Sequence, residues 1–163
     1  MSAAIDVAVQ NVSRLKQVPD SELMTGWIRD AMSLARPDNS SSFEMAVRIV
    51  DEDESQALNR QYRGADKPTN VLAFPSGSDE FASIGTGGEP SPLGDLVICG
   101  PLVLREAAEQ NKDPQHHWHH LLVHGTLHLL GYDHEIEQQA IEMESLEARI
   151  LGACGIDNPY GES

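Results

Sequence analysis

Apolar and polar residues alternate in IDVAVQN near the N-terminus, a period of two that predicts a strand. The pattern changes after Pro19 and Asp20. Through SELMTGWIRDAMSLA, Leu23, Trp27, Ile28 and Met32 fall at helical spacing and form one apolar face. RPDNSSS ends that helix. FEMAVRIV predicts a second strand, DEDESQALNRQYR a helix closed by Gly64, and TNVLAF a third strand stopped by Pro75. Pro75 to Gly94 is rich in Gly, Ser and Pro and predicts a flexible loop, long enough to raise the question of function. DLVIC predicts a fourth strand. Pro101 suits the first turn of the helix PLVLREAAEQN. Pro114 opens a helix running to Leu130, with Gly131 after it. A last helix is expected from Glu135 to Ala153. The expectation is one α+β domain over residues 1–163, a small mixed sheet of about four strands packed with about five or six helices.

Bulk properties narrow the function classes. The 163 residues are enough for one domain with a core. No apolar run approaches the roughly 20 residues of a membrane span. MSAAIDVAVQ has no basic stretch followed by an apolar one, so no signal peptide is read and a cytoplasmic location is expected. Cys99 and Cys154 lie far apart among apolar residues and are expected to be reduced core thiols. A net charge of −15, from 26 acids against 11 bases, argues against gripping nucleic acid through the whole surface. One local basic cluster stands out in NRQYRGADK, where Arg60, Arg63 and Lys67 fall close together.

The chemistry concentrates in LLVHGTLHLLGYDHE. All seven histidines fall between positions 116 and 134. His124 and His128 are four apart, which on a helix puts two imidazoles on one side, about 6 Å apart along the axis. That pair alone is a weak metal signal. Gly131 is the kind of residue that ends a helix in the left-handed region, so the chain can turn back and bring His134 to the same point. Three neutral imidazoles suit one zinc ion, with water in the fourth position, as in catalytic rather than structural sites. His116 and His120 continue the four-residue row backward. Either could be a fourth ligand, an outer partner of a ligand, or exposed, and His120 is the better candidate for an outer partner. His116, His117 and His119 are expected to be solvated or to pack. Asp133 could orient a ligand or cap the last helix. The spacing H-x3-H-x2-G-x2-H is that of the metzincin proteases, which carry a glutamate base directly after the first histidine. Here that position is Gly125.

HGTLHLLGYDH resembles the signature of the YbeY family of bacterial endoribonucleases. LNRQYRGADKPTNVLAFP, Leu58 to Pro75, resembles the family's second block, LGDLVIC a third, and GIDNPY its ending. The resemblance covers most of the chain. It implies a zincin-like fold and a site in a cleft beside the sheet. It also implies His124, His128 and His134 as ligands of one Zn2+, with Arg63 as the functionally important arginine. The implied role is single-strand-specific, metal-dependent endoribonuclease in rRNA processing, including 16S 3′-end maturation, and in ribosome quality control. The implied partners are single-stranded rRNA precursor, a small-subunit ribosomal protein and an assembly GTPase, with no membrane. Ala73 stands where the family often has Ser.

On this reading the catalytic groups are Arg63 and a metal-bound water. Arg63 offers paired N–H donors to phosphate. Arg60 and Lys67 extend the patch along the RNA or are plain surface charge. The vacancy at Gly125 is expected to leave room beside His124 for an RNA phosphate. Two other readings stay open: a zinc hydrolase acting on another substrate such as a peptide, and a non-catalytic ribosome-assembly factor with a structural zinc.

Overall fold

The computed structural model describes residues 4–35, 42–76, 91–132 and 137–156. Along them run β1 (Ala4–Asn11), α1 (Ser21–Ala35), β2 (Ser42–Val50), α2 (Glu52–Arg63) and β3 (Val71–Pro75). β4 (Ser91–Cys99), α3 (Gly100–Glu109), α4 (Pro114–Leu129) and α5 (Glu137–Ala153) follow. The α+β class is the expected one. The sheet is mixed, in the order β1-β2-β4-β3. β1 pairs parallel with β2 and β2 with β4, while β3 runs antiparallel to β4 at the edge.

β4 begins earlier than its apolar core predicts. The stretch 91–94, expected to be loop, is strand paired with β2 from Phe43 onward. β3 reaches only as far as Pro75 opposite Gly94, so Pro92 lies beyond it and breaks no ladder there. Gly94 has φ +141°, and a Cβ on it would collide with the Phe74 carbonyl and come within 2.8 Å of Leu129 Cδ2. Glycine at 94 thus lets the edge strand and α4 close on the same point. The remaining 77–90 of the expected loop lies outside the described residues.

Of three apolar clusters among the described residues, two hold α1, α4 and α5 in place. Val47, Ile49, Leu96 and Ile98 of the sheet meet Met24, Ile28 and Met32 of α1 and Trp118 and Leu122 of α4. Val123 and Leu127 of α4 meet Ala31 of α1 and Met143, Leu146, Ile150 and Leu151 of α5. α4 is therefore clasped on two sides, and its remaining side carries His120, His124 and His128, each only partly exposed. A helix apolar over most of its circumference is an interior helix. On α1, Leu23 is exposed, and the buried face is Met24, Trp27, Ile28, Ala31 and Met32. One residue is about 100° of helix, enough to move Leu23 to the rim. Cys99 is buried as expected. Cys154, in the turn after α5, is exposed, because the helix that would have buried it has ended.

His117 and His119 are both buried, so packing rather than solvation describes them. The His119 ring stacks on Trp27 with centroids 4.4 Å apart and planes 11° from parallel. Burial, reinforced by His116 and His120, holds its pKa down at about 4. Its folded-state pKa lies below the unfolded value of about 6.5, so unfolding takes up a proton between the two. The neutral ring's stability is fully present above pH 6.5 and is lost as pH falls toward 4. Acidification across that window should therefore destabilise the wild type by about 3 kcal/mol more than a His119→Phe variant. Urea unfolding of both proteins at pH 7 and pH 4 measures the difference. Equal losses in the two proteins would show that His119 titrates like an unburied histidine.

Candidate metal centre

α4 owes its position and both its ends to local chemistry. The Asp113 carboxylate accepts from the Gln115 amide at 2.9 Å, and Pro114 occupies the first turn. At the far end the Gly131 amide donates to the His128 carbonyl at 3.0 Å and the Tyr132 amide to the Leu127 carbonyl at 3.1 Å. Gly131 has φ +105°. This paired closure is a Schellman ending, which turns the chain sharply away from the helix axis. His134 and Asp133 follow that turn and lie outside the described residues.

His124 and His128, one turn apart, bring their Nε2 atoms within 3.1 Å of each other. Two ligands about 2.0–2.1 Å from a tetrahedral ion are themselves about 3.3 Å apart. The pair thus fits a shared zinc with a small adjustment. Among the described residues no third metal-type side chain joins them.

Behind His124 stands Glu147 of α5, fully buried. Its Oε1 lies 2.5 Å from His124 Nδ1, and its Oε2 lies 3.4 Å from His120 Nε2. Sequence reasoning missed this residue. In HEIEQQAIEMESLE it is one of several acids, and charge alone does not single it out. The signal was there in the phase: Glu147 lies four residues after Met143 and three and four before Ile150 and Leu151, inside the apolar stripe of α5. An acid inside such a stripe needs a partner.

The histidines face a cleft of about 600 Å³, walled by β3 on one side and α4 on the other. Tyr62, Arg63, Thr69, Asn70 and Ala73 line it along with His120, His124 and His128. Arg63 is the last residue of α2, and Gly64, with φ 72°, closes that helix. Two buried polar residues of α2 hold the chain from there into β3. The Ser55 hydroxyl donates to the Thr69 carbonyl at 2.7 Å and accepts from its amide at 2.9 Å. Asn59 Nδ2 donates to the Lys67 carbonyl at 2.9 Å. At the cleft wall, Asn70 Nδ2 donates to Glu106 Oε1 at 3.0 Å, and His117 Nε2 lies 2.9 Å from the same oxygen. Burial lowers the His117 pKa, and Glu106 opposes that shift.

Arg60 and Lys67 are exposed and do not line this cleft. Arg60 Nη1 lies 3.9 Å from Asp66 Oδ1 on the surface. Gly125 joins His124 and His128 in lining the cleft. It is buried, and a Cβ there would stand 2.7 Å from Leu96 Cδ2 and 3.0 Å from Leu96 Cδ1. The direction a side chain would take from it is filled by Leu96, because at this position α4 rests directly on β4. No helix among the described residues is long and apolar enough to cross a membrane.

The family model for endoribonuclease YbeY matches residues 8–155. A Halorhodospira halophila protein called endoribonuclease YbeY is 49% identical over 158 residues, covering 97% of each chain. A protein of the same name from Alkalilimnicola ehrlichii is 48% identical, covering 96% of this chain and 92% of its own. One from Colwellia psychrerythraea is 44% identical over 90% of both chains. The solution structure of TM1509 from Thermotoga maritima superposes with a TM-score of 0.55 at 22% identity, covering 96% of this chain and all of the other, and so supports the fold. From its motifs, its architecture and these relatives, the chain belongs to the endoribonuclease YbeY family.

Proposed function

We propose that the protein is a metal-dependent endoribonuclease that cuts single-stranded RNA and acts in rRNA processing. The observation that carries this reading is the convergence of the His124 and His128 Nε2 atoms in the cleft that Arg63 also lines. The family name supports the substrate class. His124, His128 and His134 would hold one zinc ion. When bound, such an ion supplies a Lewis acid for a phosphate oxygen and brings the pKa of a coordinated water down to about 7.

Phosphodiester cleavage builds negative charge at phosphorus, and the chain's own residues must meet it. The Arg63 guanidinium can give two parallel N–H donors to phosphate oxygens. Its placement at the cleft lets an acidic protein attract RNA locally. Tyr62 is 59% exposed, lines the same cleft, and is braced edge-on by Phe74 at 5.0 Å. An exposed ring beside the phosphate site gives an unstacked base a surface to stack on, which favours single strands. Thr69 and Asn70 add polar groups to the wall. Cytoplasmic rRNA precursor is the substrate that this reading implies.

The deciding experiment compares RNA cleavage by zinc-loaded, zinc-stripped and zinc-restored protein, with an inactive variant purified in parallel as contaminant control. Activity that survives stripping, or that persists in the control, would sink the reading. Arg63→Ala should keep one zinc per chain while kcat/KM for RNA cleavage falls by about 10²–10³, the usual effect of deleting one preorganised donor. Unchanged cleavage in that variant would remove Arg63 from the reaction.

A further inference from the structure

We infer that Glu147 is a positioning residue of the metal centre, holding His124 in the ring orientation and tautomer that present Nε2 to the ion. The inference rests on the metal reading above and extends it to α5. An ionised carboxylate can only accept hydrogen bonds. With Oε1 2.5 Å from His124 Nδ1, the tautomer that satisfies this contact carries N–H at Nδ1 and leaves the lone pair on Nε2. That Nε2 is the atom facing His128 Nε2 at 3.1 Å. The same contact stops the ring turning about its Cβ–Cγ bond. Metal-bound imidazoles are commonly backed in this way, and the acceptor raises the basicity of the ligand.

Packing among the described residues does not by itself call for an acid at this position. Glu147 is fully buried, and its helix neighbours Met143, Leu146, Ile150 and Leu151 pack against Ala31, Val123 and Leu127. Burying a carboxylate costs desolvation, and an apolar side chain of similar volume often serves stability as well or better. The acid is retained against that cost at the point where its oxygens meet His124 and His120. α5 therefore contributes to the centre without contributing a ligand. Docking of its apolar stripe on α4 sets where the carboxylate stands.

The test uses Glu147→Gln and Glu147→Met. Zinc affinity is measured on folded protein by competition with a chromogenic chelator, and thermal unfolding is followed on the metal-free forms. Zinc affinity should fall by about 10-fold in Glu147→Gln, which keeps an acceptor without charge, and by about 100-fold in Glu147→Met. Metal-free Glu147→Met should melt no lower than the metal-free wild type, since the partly exposed His124 can turn to water. The ligand-field spectrum of the cobalt-substituted variants should also change. Wild-type zinc affinity in both variants would overturn the inference, and a lower metal-free melting temperature at unchanged affinity would reduce Glu147 to a packing residue. A wild-type protein that takes up no zinc would remove the metal reading itself, and this inference with it.

Discussion

His124→Ala protein should emerge from purification without zinc and without RNA cleavage. The substitution deletes an Nε2 that lies 3.1 Å from its neighbour's, so the ion loses a donor outright. Loss of a mere outer partner of a ligand costs about 10–100-fold in metal affinity, and loss of the ligand should exceed the upper figure. Elemental analysis after dialysis measures the metal, and a labelled single-stranded RNA measures cleavage. His128→Ala is the parallel arm. It removes the other nitrogen of the pair and should give the same double loss. Agreement between two separate deletions distinguishes ligand loss from a packing defect around one ring. Stoichiometric zinc in either variant would contradict the proposed centre.

Gly125→Glu should lose about 1–3 kcal/mol of stability before its carboxylate bears on the chemistry. The Cβ alone would stand 2.7 Å from Leu96 Cδ2, and Leu96 is fully buried in the sheet. Inserting atoms into such a contact costs about 1–3 kcal/mol, while the carboxylate itself can reach the cleft that Gly125 lines. That is a sizeable share of the whole stability of a domain this size, about 5–15 kcal/mol. Gly125→Ala separates the two contributions. It gains up to about 1 kcal/mol of helix propensity and pays only the overpacking. A net loss of about 1 kcal/mol is expected, read from urea unfolding. Shortening Leu96 to Ala alongside it should relieve the clash and give a non-additive double variant. A Gly125→Glu protein as stable as wild type would mean that α4 does not rest on β4 as closely as the structure has it.

Gly125 also bears on how this chain differs from the metzincin proteases that its spacing resembles. A glutamate directly after the first histidine is absent here, and the sequence alone invites the view that the gap admits substrate. The structure places Gly125 on the cleft wall, with Leu96 packed against the direction its Cβ would take. Charge at the transition state is then left to Arg63 and the ion in the proposed mechanism.

Much of the architecture could be read from the chain because it rests on local rules. Alternation in IDVAVQN, the helical spacing in SELMTGWIRDAMSLA, the prolines at 101 and 114 and the glycines at 64 and 131 act over a few residues, and each predicted element lies where those signals put it. The four-residue spacing of His124 and His128 is likewise a property of any helix, so their shared side followed from sequence. What depended on tertiary structure was which surface meets which. Leu23 and Cys154 have apolar side chains, but only the packing of α1 and the end of α5 determined that they stay exposed. Residues 91–94 look like loop, yet pairing with β2 makes them strand. Glu147 is one acid among many in its stretch. Its meaning came from the contact between α5 and α4, which joins residues 23 positions apart and left no short-range pattern beyond its place in an apolar stripe. Gly125 marks the same boundary: the sequence could register a missing side chain, and only the tertiary structure set Leu96 of β4 against it while keeping it on the cleft wall.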